Sequence, residues 1–225
     1  MVVKILKQMI INYGISINDK FVNMLYLPSI GKFIKDNKPH VRLNNRVELY
    51  KYINAEILRN KSIDYLEFGV YKGSSIKWWV ESNKNSTSRF YGFDTFWGLP
   101  KDWNRILSKL KKGAFSTEGI VPPINDARVS FVKGVFQETL SPFLTDYTQN
   151  NRMVIHLDAD LYESTLYVLT QIDYLMMKGT ILIFDEFSSI DEYRAFINYV
   201  NAYRRKYKVI GCAGYCYEHI AIEIL

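Results

Sequence analysis

The stretch Ile63-Asp64-Tyr65-Leu66-Glu67-Phe68-Gly69-Val70-Tyr71-Lys72-Gly73-Ser74-Ser75 decides the fold. Its first six residues form a strand candidate that ends at Gly69. A helix candidate opens at Gly73 and runs to about Ser82. The glycines between them let the backbone turn tightly and come close to a ligand. The helix start offers unpaired N–H groups to an anion.

Downstream the same alternation repeats. Arg89–Phe93 is a second strand, closed by Asp94, and Arg128–Lys133 a third, closed by Gly134. Met153–Leu157 is a nearly continuous apolar run closed by Asp158, which suits a central parallel strand covered on both faces. Leu161–Met176 has apolar residues at helical spacing, and Thr180–Phe184 is another buried strand, closed by Asp185-Glu186. Asp191–Lys206 is helical, and Lys208–Cys212 and Tyr217–Ile224 are the last strands. The few residues around Ala213-Gly214 cannot make a parallel crossover, so these two pair antiparallel. The expected fold is α/β, a doubly wound, mostly parallel seven-stranded sheet ending in an antiparallel hairpin.

Upstream, residues 1–60 read as a helical segment suited to lid, substrate or oligomer contacts, and residues 61–225 as the sheet domain. Met1–Tyr13 places Val2, Ile5, Leu6, Met9 and Tyr13 at amphipathic spacing. It lacks the unbroken apolar core and cleavage site of a signal peptide. An exposed apolar helix of this kind favours a homodimer. Val47–Leu58 is a second helix, with Asn45 as its N-cap.

At 225 residues, the chain can build one α/β domain with a large core. Its 48% hydrophobic and 23% charged residues exclude a disordered or fibrous protein. Lys plus Arg number 29 against 23 Asp plus Glu, and the net charge of +6 leans mildly toward an anionic partner. The basic residues are spread out, apart from Arg204-Arg205-Lys206 and the group Lys109, Lys111 and Lys112. No nucleic-acid motif accompanies them, so no nucleic-acid partner is expected. Cys212 and Cys216 are too few for a secreted disulfide scaffold and read as thiols in a reducing cytoplasm. No apolar run is long enough to span a membrane.

In an open α/β sheet, ligands lie outside the carboxyl ends of the strands. Here five strands end in acid or glycine: Glu67 and Gly69, Asp94, Gly134, Asp158, then Asp185 and Glu186. Carboxylates are costly to bury unpaired, so this end calls for a ligand. A carboxylate at Asp94 can accept from both hydroxyls of a ribose. Asp158-Ala159-Asp160 and Asp185-Glu186 should emerge from neighbouring strands. Carboxylates gathered so closely favour a hard divalent cation such as Mg2+, which could hold two substrate oxygens. The alternative use of Asp158 or Asp160 is to cap the helix near Tyr162. His156, inside an apolar strand, reads as a core histidine, while His40 and His219 have no evident partner. Trp78-Trp79 read as core or lid. The long loop around Lys112–Thr117 could cover the cofactor or the substrate.

Taken together, these residues resemble the macrocin O-methyltransferase family of class I, Rossmann-like methyltransferases, from about Tyr65 to Arg205. The resemblance rests on Leu66–Val70, on Gly92-Phe93-Asp94-Thr95-Phe96-Trp97-Gly98-Leu99-Pro100, on Leu157-Asp158-Ala159-Asp160-Leu161-Tyr162-Glu163-Ser164-Thr165, and on Gly179–Phe187. It implies transfer of a methyl group from S-adenosylmethionine (SAM) to a sugar hydroxyl, commonly with Mg2+. The residues expected at the cofactor are Glu67, Gly69, Val70, Tyr71, Gly73, Ser74, Ser75, Asp94, Thr95, Gly134 and Asp158. Those expected at a metal are Asp158, Asp185 and Glu186. Some relatives place a Lys or His base where Leu161 stands, which leaves Asp158 as the proton acceptor. Two departures stand out: Tyr71 occupies the usual middle glycine of the first loop, and Glu186 the second paired Asp. The rival readings are a nicotinamide-dependent oxidoreductase, for which this glycine loop is too open, and a non-catalytic partner-binding module.

Overall fold

The computed structural model describes residues 2–13 and 19–225. The chain begins with α1 (Val2–Tyr13), α2 (Asp19–Met24) and α3 (Leu27–Asn37). Met1 and the side chains of Val2, Leu6, Met9 and Tyr13 lie outside the described residues. Next come β1 (Arg42–Leu43), α4 (Arg46–Tyr52) with a π-helical turn at Ile53–Ile57, β2 (Ile63–Phe68), α5 (Ser74–Ser82) and β3 (Arg89–Asp94). A small hairpin, β4 (Trp103–Asn104) and β5 (Lys109–Leu110), precedes β6 (Val129–Lys133) and α6 (Phe136–Asp146). The remainder is β7 (Arg152–Leu157), α7 (Tyr162–Ile172), β8 (Ile181–Phe184), α8 (Asp191–Tyr203), β9 (Tyr207–Ala213) and β10 (His219–Ile224).

The main sheet runs β1-β9-β10-β8-β7-β2-β3-β6. The strands from β8 through β6 pair parallel, and β10 pairs antiparallel with both β8 and β9. The expected layout stands, with the two-residue β1 added as an eighth strand, parallel to β9. All residues of β2 and β8 are buried, as are all but the first of β7. Alternation along β2 sends Tyr65 to a layer with Tyr50 and Trp79, and Leu66 and Phe68 to the opposite layer with Leu169 and Phe196. Each such fully buried large side chain stabilises the fold by about 1.5–3 kcal/mol. From the N-terminal segment, Phe33 packs its ring against Phe187, Tyr193, Phe196 and Tyr207, so α3 shares the main core.

Asn45 caps α4 as expected, its side chain accepting from Glu48 N. The capping expected of Asp158 or Asp160 is corrected. The N-cap of α7 is Leu161, without a side-chain bond, because Asp160 turns the chain at φ 60°. α6 was not foreseen: Pro142 lies inside it and no side chain caps its start.

Asp64 pins the amino end of the sheet. Its fully buried carboxylate accepts from Arg89 Nε (2.9 Å), Tyr147 Oη (2.9 Å), Asn150 N (2.9 Å) and Asn151 Nδ2 (2.8 Å). Burial alone would raise its pKa, but Arg89 and these donors hold it below the usual value. Asp64→Ala leaves Arg89 uncompensated and should cost about 3 kcal/mol in urea unfolding. The depressed carboxyl contributes its full stability above pH of about 4 and loses it as pH falls through the folded value. A wild type and variant of equal stability at pH 7 would contradict this.

Candidate functional site

At the carboxyl ends of the strands lies a cavity of about 260 Å3. It gathers most of the residues singled out by sequence: Gly69, Val70, Tyr71, Ser74 and Ser75, then Asp94 and Thr95, and finally Asp158, Asp185 and Glu186. Three others stand apart. Glu67 points beneath the floor, on the face it shares with Tyr65. Gly73 faces Pro122, and Gly134 lines a neighbouring hollow with Trp97, Lys112 and Lys133.

The glycine turn is shaped by close approach. Gly69 has φ 95°, and a Cβ there would stand 1.8 Å from the carbonyl oxygen of Asp158. The ends of β2 and β7 can therefore meet only without a side chain at this position. Tyr71 takes the left-handed φ of 50°, so the backbone turn survives the loss of glycine at a cost of about 1–2 kcal/mol. Its ring packs edge-on against Phe115, whose loop also lines the cavity. Asp94 ties the turn together, accepting from Val70 N (2.8 Å), Tyr71 N (2.7 Å) and Phe96 N (2.7 Å).

The acidic group is answered largely by cations of the protein itself. Arg46 Nη1 donates to Asp185 Oδ2 (2.9 Å), and Tyr50 Oη donates to Asp185 Oδ1 (3.2 Å). His156 Nε2 and His219 Nδ1 lie 3.6 and 3.1 Å from Asp185 Oδ1. His219 thus has a partner that its sequence context does not reveal. Burial works against ionisation of Asp185, but the two histidines hold its carboxyl well below the ordinary range. His156 is itself fully buried. Its Nδ1 donates to Tyr65 Oη (2.7 Å), which donates to Glu67 Oε2 (2.5 Å). Burial would lower the pKa of His156, yet Asp185 and Glu67 push it up to about 10. Arg105, on the turn after β4, donates to Glu186 Oε2 (3.0 Å) and Ser189 Oγ (3.1 Å). Trp103 Nε1 holds the same hairpin to Asp191 at 2.9 Å.

Among the described residues Asp158 and Asp160 have no such partner bond. Burial, then Asp185, pushes the Asp158 carboxyl well above the carboxylate range. Burial, then Glu186, pushes Asp160 up to about 8. Among the described residues no three His, Cys, Asp or Glu side chains are grouped to hold a metal ion. The expected ligands line one cavity, where Asp185 is bonded to Arg46 and Glu186 to Arg105. The glycine cradle, Asp94 and the free carboxylates do fit a nucleoside bearing positive charge. Sequence reasoning placed Asp160 in the acidic cluster but missed Arg46, Ser164, Phe136 and Gln137 on the cavity wall. Arg46 is far from the motifs in sequence, and α6, which carries Phe136 and Gln137, gave no clear helical signal.

A mostly parallel sheet closed by an antiparallel hairpin, with a glycine turn and acidic strand ends around one cavity, defines a Rossmann-like fold with its site at the carboxyl ends of the strands. Residues 40–211 match the macrocin O-methyltransferase (TylF) family, and the chain belongs to it. Among solved structures it is similar to CalS11, a calicheamicin methyltransferase, with 22% identity over 79% of this chain and 77% of that one and a TM-score of 0.62. The O-methyltransferase NovP is 20% identical, covering 79% and 78%, with a TM-score of 0.62. A structure of cmcI with Mg and SAM is 15% identical, covering 79% and 70%, with a TM-score of 0.54. At these identities the likeness is one of fold. Comparison with curated proteins gives no match.

Gly69→Ala should force the ends of β2 and β7 apart. A loss of about 3 kcal/mol in stability is expected, together with loss of S-adenosylhomocysteine (SAH) binding. An unchanged melting temperature with unchanged affinity would contradict the close-approach argument.

Proposed function

We propose that the chain transfers a methyl group from SAM to a hydroxyl of a sugar-bearing small molecule. One observation carries this reading: a single cavity joins the glycine turn and Asp94 to the buried acids Asp158 and Asp160. When bound, SAM supplies an electrophilic methyl on a positively charged sulfur. The turn at Gly69 admits backbone contact with the cofactor, and Asp94 and Thr95 face its ribose side. Burial raises the proton affinity of Asp158, and the positive charge of bound SAM would favour its ionised form; once ionised, Asp158 accepts the proton of the attacking hydroxyl, directly or through water, with Asp160 beside it. The walls orient the acceptor for in-line attack, and burial excludes competing water. The sugar acceptor rests on family membership and on CalS11, described as a TDP-rhamnose 3'-O-methyltransferase.

Magnesium assistance is a second reading. Three carboxylates on one cavity wall favour it, as does the presence of Mg with SAM in cmcI. It requires Arg46 and Arg105 to release Asp185 and Glu186. The free thiols of Cys212 and Cys216 suit a cytoplasmic enzyme. Among the described residues no helix is long and apolar enough to cross a membrane. A homodimer through α1 is part of the proposal, because Val3, Ile5 and Ile11 are exposed there. Light scattering should give twice the monomer mass, and a monomer at high concentration would exclude it.

Radiolabelled SAM incubated with nucleotide sugars and glycosides tests the activity. Asp158→Asn should retain SAH binding and lose turnover by about 100-fold or more. Full turnover in that variant would remove Asp158 as the base, and a loss confined to Asp160→Asn would assign the role there. Turnover abolished by a chelator and restored by Mg2+ would support the metal reading, whereas indifference to both would dismiss it.

A further inference from the structure

Charge on the cavity wall is lopsided. Asp94, Asp158, Asp160, Asp185 and Glu186 all line it, and Arg46 is the single cation among the lining residues. Arg46 lies outside the glycine turn, at the first position of α4, where the Asn45 cap fixes the helix start. Tyr50, four residues on, lies on the same helix face. Together they hold both oxygens of Asp185, Arg46 at Oδ2 and Tyr50 at Oδ1. The guanidinium is therefore fixed at the wall shared with Gly69, Ser74 and Ser75, while its side chain stays 38% exposed. Among the described residues its hydrogen bond to Asp185 uses one of five N–H donors.

SAM carries two positive groups, the sulfonium and the ammonium, and one carboxylate. The acidic wall suits the first two and repels the third. We propose that Arg46 binds the amino-acid carboxylate of SAM, sharing its planar fork between that group and Asp185, at the start of α5. This inference rests on the SAM reading above and adds a binding residue to it. Arginine suits the role because its fixed fork matches carboxylate geometry and keeps its charge at any working pH. The same contact would complete the cofactor site from the first turn of α4, far from the glycine motif in sequence.

The test compares two ligands by calorimetry: SAH, which has the carboxylate, and 5'-methylthioadenosine, which keeps the nucleoside and sulfur but lacks the amino-acid group. Arg46→Gln should weaken SAH by about 10- to 100-fold and leave methylthioadenosine within about twofold. Tyr50→Phe loosens Asp185 but keeps the guanidinium, and should not produce this selective loss. A thermal melt shows whether each variant is folded. If Arg46→Gln does not fold, Arg46→Lys serves in its place, with a smaller loss that again falls on SAH alone. Equal weakening of both ligands, no weakening of SAH, or the same selective loss in Tyr50→Phe would each overturn the assignment. A wild type that binds neither ligand would instead overturn the SAM reading beneath it.

Discussion

Carboxylates meet at one end of the sheet, and burying them is costly unless something answers their charge. In this chain the protein supplies most of the answer. Arg46 reaches in from α4, Arg105 from the β4–β5 hairpin, and His156 from within β7, each against an acid that closes a strand. These contacts tie the N-terminal segment, the hairpin and the central sheet to one point. They also sort the acids: Asp185 is held ionised, while Asp158 and Asp160 are left with high proton affinity.

Beneath the floor, Glu67, Tyr65 and His156 form a buried chain that ends on Asp185. Glu67 was expected at the cofactor, yet strand alternation turns its side chain the same way as Tyr65, into the layer of α4 and α5. Its structural effect is to help keep His156 protonated. Because the pKa of His156 is raised, its contribution to stability is complete below the unfolded value of about 6.5 and fades as pH rises through about 10.

The sheet was legible because β2, β7 and β8 are covered on both faces and read as nearly unbroken apolar runs bounded by Gly, Asp and Glu. Closers of consecutive parallel strands must fall at one end, and so most of the cavity was legible too. Other parts left no local trace. β1 is only two residues long and is set by pairing with β9. The Leu161 cap follows from the left-handed turn at Asp160, not from a side-chain bond. The reach of Arg46 and Arg105 into the acid cluster depends on tertiary packing, which spacing along the chain does not encode. The need for positive charge could be inferred from the sequence, but its protein source could not.

The central claim is that this cavity is built for S-adenosylmethionine, and calorimetric titration of the wild-type protein with SAH, beside an NAD+ control, tests it most directly. The account predicts saturable binding of SAH with a single site per chain and none of NAD+. Binding of NAD+ in its place, or of neither ligand, would contradict it.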